Sequence, residues 1–184
     1  MSTANENRLR STYAGITLTG KPHPLSAWFV LALRLVMGGM ILFAGIGKFT
    51  GDGFDAFGYL ANRPPASPVS GLYAGMAESA LILDAVNFII PTTQVLIGLA
   101  LIFGAFVRLA ALGGALQMAL FYLGGWEGEF LALFDSTLIY VVLFLALGAF
   151  AAGRIVGLDR YIEQWRVGEQ GLVDRYPKLR YILG

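Results

Sequence analysis

From Ala27 to Gly47 the chain is apolar except for one charge, Arg34. A run of this length matches the roughly 20 apolar residues that a helix needs to cross a bilayer. Similar runs recur downstream. Hydrophobic residues make up 57% of the chain against 14% charged, and the charges gather between and after the apolar runs, so the chain reads as an all-α integral membrane protein. Residues 1–24 are polar and show neither the early apolar region nor the small-residue cleavage site of a secretory signal, so the first helix is expected to be retained. A formal net charge of +1 gives no basis for a nucleic-acid partner. The absence of cysteine excludes disulfides, iron–sulfur ligation and thiol chemistry within this chain, and His23, its one histidine, offers no paired-histidine haem or metal site.

Four crossings are expected. The first spans about Ala27 to Gly47, with Trp28 placed as an interfacial anchor and Gly51-Asp52-Gly53 breaking the helix. Arg63-Pro64-Pro65 and Ser67-Pro68 mark a loop over residues 54–70. The apolar pattern then returns from Leu72 to Ile90, but Glu78 and Asp84 interrupt it. Each carboxylate would cost about 2.5–3.5 kcal/mol at a bilayer centre, so this stretch reads as an outer interfacial or re-entrant helix, with a five-crossing arrangement as the alternative. Pro91 opens the second crossing, to about Val107. The third runs from about Leu109 to Tyr122 or Leu123. The fourth occupies roughly Phe130 to Ala152, after a loop reading Gly124-Gly125-Trp126-Glu127-Gly128-Glu129. Beyond Arg154, the spacing of Leu158, Tyr161, Ile162 and Trp165 predicts an amphipathic helix on the membrane surface. The chain thus divides into a polar tail (1–24), a four-helix membrane domain (25–153) and an amphipathic tail (154–184).

Sidedness follows from the cations. An even number of crossings with a cytoplasmic N-terminus puts Arg8, Arg10, Lys21, Arg108, Arg154, Arg160, Arg166, Arg175, Lys178 and Arg180 on the inner side, which is the bias of a multi-pass cell-membrane protein with both termini cytoplasmic. The opposite surface collects Asp52, Asp55, Glu78, Asp84, Glu127, Glu129 and Asp135.

On the first helix, Arg34, Gly38, Ile41, Gly45 and Lys48 fall on one narrow stripe, a lane of small residues between two cations. Glycines at this spacing admit a neighbouring helix, and an intramembrane arginine needs a partner or water, so the lane is expected to face protein. Gln94, Gly98, Leu101, Ala105 and Arg108 repeat the spacing. Such an echo arises either from an internal repeat or from chance among apolar helices.

The Arg34-to-Gly38 start with Lys48 at the far end, the segment GLALIFGAFVRLAAL of residues 98–112, and Gly153-Arg154 followed by Gly157-Leu158-Asp159 together resemble the DoxX family, including its DoxD-like members. The resemblance covers roughly residues 30–160. It implies a four-helix membrane protein tied to quinone redox chemistry, of the kind associated with thiosulfate:quinone oxidoreductase and terminal quinol oxidase. Many members resemble the family in sequence only and carry no assigned activity.

Two polar points are candidates for binding. Arg34 and Gln117 lie at matching depth by helical rise and are expected to meet, either as donors to a quinone carbonyl or anionic head group or as a packing pair. Lys48, Asp135 and Gln94 are expected to line an outer polar mouth, as a ligand site or as a structural pair. Glu78 and Asp84, six residues apart, share no helical face and make no acid–base pair. Tyr122 and Tyr140 read as ordinary membrane tyrosines. The reading is a quinone-interacting subunit of a membrane oxidoreductase; the alternative is a non-catalytic scaffold or assembly factor. No metal or covalent cofactor is expected; quinone is the candidate ligand, and lipid, a second redox subunit or a second copy are the candidate partners.

Overall fold

The computed structural model describes residues 9–50, 53–167 and 170–184. A hairpin of β1 (Leu9–Tyr13) and β2 (Ile16–Gly20) precedes the long helix α1 (Ser26–Phe49). Two short helices follow, α2 (Phe57–Ala61) and α3 (Ser70–Glu78), and then α4 (Ala80–Phe103), α5 (Val107–Gly124) and α6 (Ser136–Ala149). The chain closes with α7 (Leu158–Gln164), the two-residue strands β3 (Arg166–Val167) and β4 (Gln170–Gly171), and α8 (Leu172–Arg175). Among the described residues α1, α4 and α5 are long and apolar enough to cross a membrane, whereas α6 is apolar but only 14 residues long.

The lane of small residues on α1 packs against α4, and the two helices run antiparallel. A Cβ added at Gly45 would lie 2.8 Å from the backbone nitrogen of Val95, one at Gly98 2.7 Å from Cα of Leu42, and one at Gly38 3.0 Å from Cβ of Leu101. Only glycine lets the backbones approach so closely. The echoed spacing therefore has a physical meaning over its first three members, since Gln94, Gly98 and Leu101 face the lane on α1. It ends there, because α4 stops at Phe103 and Gly104 turns the chain in the left-handed region at φ +67°. On the other side, α6 lies along α5, with the ring of Phe144 filling the space where Gly114 has no side chain. Met37, Ile41, Ile97, Leu101, Met118 and Phe144, drawn from all four helices, share one buried core.

Several sequence boundaries move. Residues 72–90 are not one interfacial helix: α3 ends at Glu78, and α4 continues through Pro91 without a break. Asp84, early in α4 and exposed, stands near the helix end and not at its middle, which removes the cost that argued against a long helix. Pro91 lacks the N–H that would bond the Asn87 carbonyl, and the Thr93 hydroxyl bonds the carbonyls of Ile89 and Ile90 just beside it, at 2.8 and 3.0 Å. The expected fourth crossing over 130–152 is likewise shortened. Phe130–Phe134 forms a separate turn, and Asp135, placed by the sequence one turn inside the helix, is instead its N-cap, accepting from the Thr137 N–H at 2.9 Å. In the N-terminal tail the alternation Ile16-Thr17-Leu18-Thr19 after Ala14-Gly15, both at positive φ, forms a hairpin the sequence reading left as a polar tail.

Candidate functional site

Helix α5 is held at both ends by distant segments, and the two ends have different chemistry. At its start, the Asp159 carboxylate, fully buried, accepts from the N–H groups of Phe106 at 2.6 Å and Val107 at 3.0 Å, and from Gly184 at 3.0 Å. These are donors a helix cannot satisfy for itself. Beside it the Arg34 guanidinium donates to the carbonyls of Ala152 at 2.5 Å, Ile155 at 2.8 Å and Val156 at 3.1 Å, just past the end of α6 where a helix leaves carbonyls exposed. Gly104 and Gly157 give the guanidinium room: a Cβ on either would sit 2.9–3.0 Å from Nη1. The three sequence motifs that carry the family resemblance thus meet at one buried point, each supplying what the others lack.

The expected Arg34–Gln117 meeting does not occur. An α-helical Cβ leans toward the helix N-terminus, so Arg34 reaches back to the α4–α5 turn, while Gln117 stands ten residues into α5, about 15 Å along it. The Gln117 amide is buried, and neither its oxygen nor its nitrogen has a hydrogen-bond partner. An unsatisfied buried amide costs about 1–3 kcal/mol, so its retention calls for an explanation.

At the far end of the bundle the α2–α3 segment docks on α5. Tyr59 donates to the Phe121 carbonyl at 3.2 Å, Tyr73 to Leu120 at 3.0 Å, Ser67 to Leu123 at 2.7 Å and Arg63 to Gly124 at 3.5 Å. Four side chains therefore satisfy the carbonyls that close the last turn of α5. Arg63 also stacks on the Tyr59 ring, 3.6 Å from its centre. Burial holds both phenols above their usual pKa, more than Arg63 draws them down, so they remain protonated donors. In the sequence 54–70 reads as a loop and Tyr73 falls in the interfacial stretch after it, so none of the four carries a role there. The available signal was Tyr59 and Arg63 four residues apart, at helical spacing, just ahead of Pro64-Pro65.

This docking walls one side of a partly open cavity of about 570 Å³ between α1, α4, α5 and the α2–α3 segment. Its walls are almost wholly apolar and aromatic. The exceptions are few: the Tyr59 and Tyr73 hydroxyls are committed to α5, Lys48 enters from the end of α1, Gln117 from α5, and Thr137 from the start of α6. Lys48 donates to Gln94 Oε1 at 3.0 Å and to the Ala44 carbonyl at 3.1 Å, and its ammonium stands 5.4 Å from the Phe54 ring centre. The expected Lys48–Gln94 approach is present.

Asp135 is not part of it. The carboxylate is exposed and engaged by Thr137 and Ser136, whose hydrogen bonds hold it below the usual carboxylate range, and no ion pair between it and Lys48 is found among the described residues. Asp135 instead lines an adjoining hollow of about 310 Å³ with Tyr122, Trp126 and Glu127. Of the five sequence candidates, then, Lys48, Gln94 and Gln117 group around one cavity, and Arg34 and Asp135 serve helix ends.

A cavity of this volume suits a ligand of one or two rings. Lys48 offers N–H donors, and Gln117 offers a donor and an acceptor that no protein group uses. A planar ring bearing carbonyl oxygens on opposite sides meets both conditions, so the residues present fit a quinone head. The DoxX family model matches residues 29–124, a span that contains Arg34, Lys48, Gln94 and Gln117 and stops short of Asp159. No curated protein and no solved structure shows a significant match to the chain.

Proposed function

The chain belongs to the DoxX family, and from that premise we propose that it is a quinone-interacting subunit of a membrane oxidoreductase, of the thiosulfate:quinone oxidoreductase or quinol oxidase type. The observation that carries the reading is the unpartnered, buried Gln117 amide lining the same apolar cavity as Lys48, which Gln94 holds from behind the wall. In it Lys48 and Gln117 hydrogen-bond the ring oxygens, Gln94 holds the Lys48 ammonium in position, and the aromatic walls exclude water. The quinone supplies the two-electron, two-proton couple. A chain without cysteine ligates no iron–sulfur cluster, so a reduced donor or a second redox subunit delivers the electrons.

In this reading the protein is a multi-pass cell-membrane bundle of four crossings, α6 with the turn that follows it being the fourth and Asp135 standing at its outer end. Both termini are cytoplasmic. The cation distribution supports that sidedness, because α1 begins and α6 ends at the pole of Arg108, Arg154 and the 154–184 tail.

A second reading, a non-catalytic scaffold, draws on the Arg34 and Asp159 network, in which Nη1 and Nη2 of Arg34 hold the 152–156 turn and the Asp159 carboxylate holds the start of α5. Protein in nanodiscs titrated with a water-soluble benzoquinone separates the two. Under our reading the quinone raises thermal stability with the logarithm of its concentration, by about 2.7 kcal/mol at a hundredfold excess over Kd. Gln117→Leu and Lys48→Met each weaken binding about tenfold, the loss of one hydrogen bond to a buried partner. A folded wild type that shows no shift hands the case to the scaffold.

A further inference from the structure

Helices α4 and α5 are joined by a tight turn, but α4 is packed along α1 and α5 along α6, so the two diverge from each other. Between them runs an apolar groove of about 730 Å³, lined by Leu96, Ala100 and Phe103 of α4 and by Leu109, Gly113 and Leu116 of α5. It is open along its length on the outer, apolar face of the bundle, where Leu96, Phe103, Leu109 and Leu116 are exposed. In a bilayer that face meets acyl chains. The groove and the cavity share three residues, Ile90, Gln117 and Leu120, so the two spaces adjoin at the unpartnered amide.

We infer that the ligand is a long-tailed amphiphile that enters sideways from the bilayer, its ring at Gln117 and its apolar tail laid in the α4–α5 groove. Three observations meet in this assignment. The only unsatisfied amide in the two spaces stands where they adjoin, among the described residues. One space is the more closed of the two and has polar points; the other is more open and has none beyond Thr93 and Gln117 itself. The groove follows α5 from Gln117 back to Phe106, eleven residues or about 16 Å, which is the reach of an alkyl or prenyl chain and not of a second ring. The inference rests on the quinone reading for the identity of the head.

The test compares a tailless dimethoxy-methyl-benzoquinone with its decyl homologue, with the protein in nanodiscs and each Kd expressed against the measured quinone concentration in the bilayer. Wild type should bind the decyl homologue about tenfold more tightly, the van der Waals gain of packing the chain in a fitted groove instead of among fluid lipid tails. Gly113→Leu fills the groove floor, where an added Cβ would meet only the end of Ile97 at 3.4 Å, and Leu116→Trp fills it from an exposed position that folding tolerates. Both variants should lose the tenfold gain and keep the tailless affinity. If the tailless ring binds but the decyl chain adds nothing, or its gain survives both variants, the groove assignment falls while the proposed function stands. If neither quinone binds folded wild type, the head assignment falls and takes this one with it. Equal competition by a ringless diacyl lipid, insensitive to Gln117→Leu, would show a groove for lipid chains only and overturn the inference.

Discussion

Arg34 is the residue whose meaning changed most between sequence and structure. The sequence showed that an intramembrane arginine must find partners, and at Nη1 and Nη2 that demand is met, but by carbonyls of the 152–156 turn that follows α6 and not by another side chain. Side-chain direction on a helix, in this case back toward the α4–α5 turn, decides which partner is reachable, and it is not visible in spacing alone. Removing the guanidinium leaves three carbonyls short of donors, so Arg34→Met should destabilise the fold by about 3 kcal/mol or more. Arg34→Lys should recover little, because an ammonium cannot reproduce a planar fork spread over three acceptors. Denaturation in mild detergent, followed by tryptophan fluorescence, measures both. If Arg34 instead served the ligand, Arg34→Lys would keep stability and lose quinone binding. Gln117 gives the converse expectation. Gln117→Leu removes an unsatisfied amide from an apolar setting and should leave the apoprotein as stable as wild type or more so, while losing affinity for the ring. Its unpartnered state was not legible in the sequence, where Gln117 was distinguished only by being the one polar residue in its crossing.

At the scale of elements, small residues were more legible than boundaries and caps. The lane of Gly38 and Gly45 and its echo at Gly98 were readable because close helix packing selects small residues at a fixed period. Pro91 and Asp84 misplaced the start of α4. Both are residues that usually end an apolar helix, and here neighbouring Thr93 and a terminal position make them tolerable. Gly98→Leu would force its side chain into the backbone of Leu42 and should separate α1 from α4, costing about 1–3 kcal/mol and disturbing the Lys48–Gln94 contact four residues away. The Asp135 cap carries a pH dependence. Its carboxyl is depressed in the folded protein by hydrogen bonds from Thr137 and Ser136. A depressed acid contributes stability above its unfolded pKa of about 3.9 and loses it as pH falls through the lower folded value. Asp135→Ala should therefore cost about 1 kcal/mol at pH 7, and the gap should close below about pH 4. Quinone affinity should not change, since Asp135 stands outside the cavity.

On the scale of the whole molecule, the two poles of the bundle differ in kind. One is tied together by backbone hydrogen bonds to Arg34 and Asp159. The other is closed by a docked segment around a cavity. A redox subunit that takes its ligand from the bilayer can keep one pole rigid and build the ring site at the other, and the sidedness of those poles decides where protons are taken up or released. The absence of cysteine makes that sidedness directly measurable, because every introduced thiol is the only one present. With both termini cytoplasmic, Thr19→Cys and Arg160→Cys should resist a membrane-impermeant maleimide in intact cells and react after permeabilisation, whereas Glu127→Cys should react at once. All three positions are exposed, so burial does not decide the outcome. Labelling of Thr19→Cys and Glu127→Cys from the same side would mean an even number of crossings between them. That would remove one of α1, α4 and α5 from the proposed crossings, the reaction of Arg160→Cys would then show whether α6 crosses, and protection of both Thr19→Cys and Glu127→Cys would place the ring cavity on the cytoplasmic face.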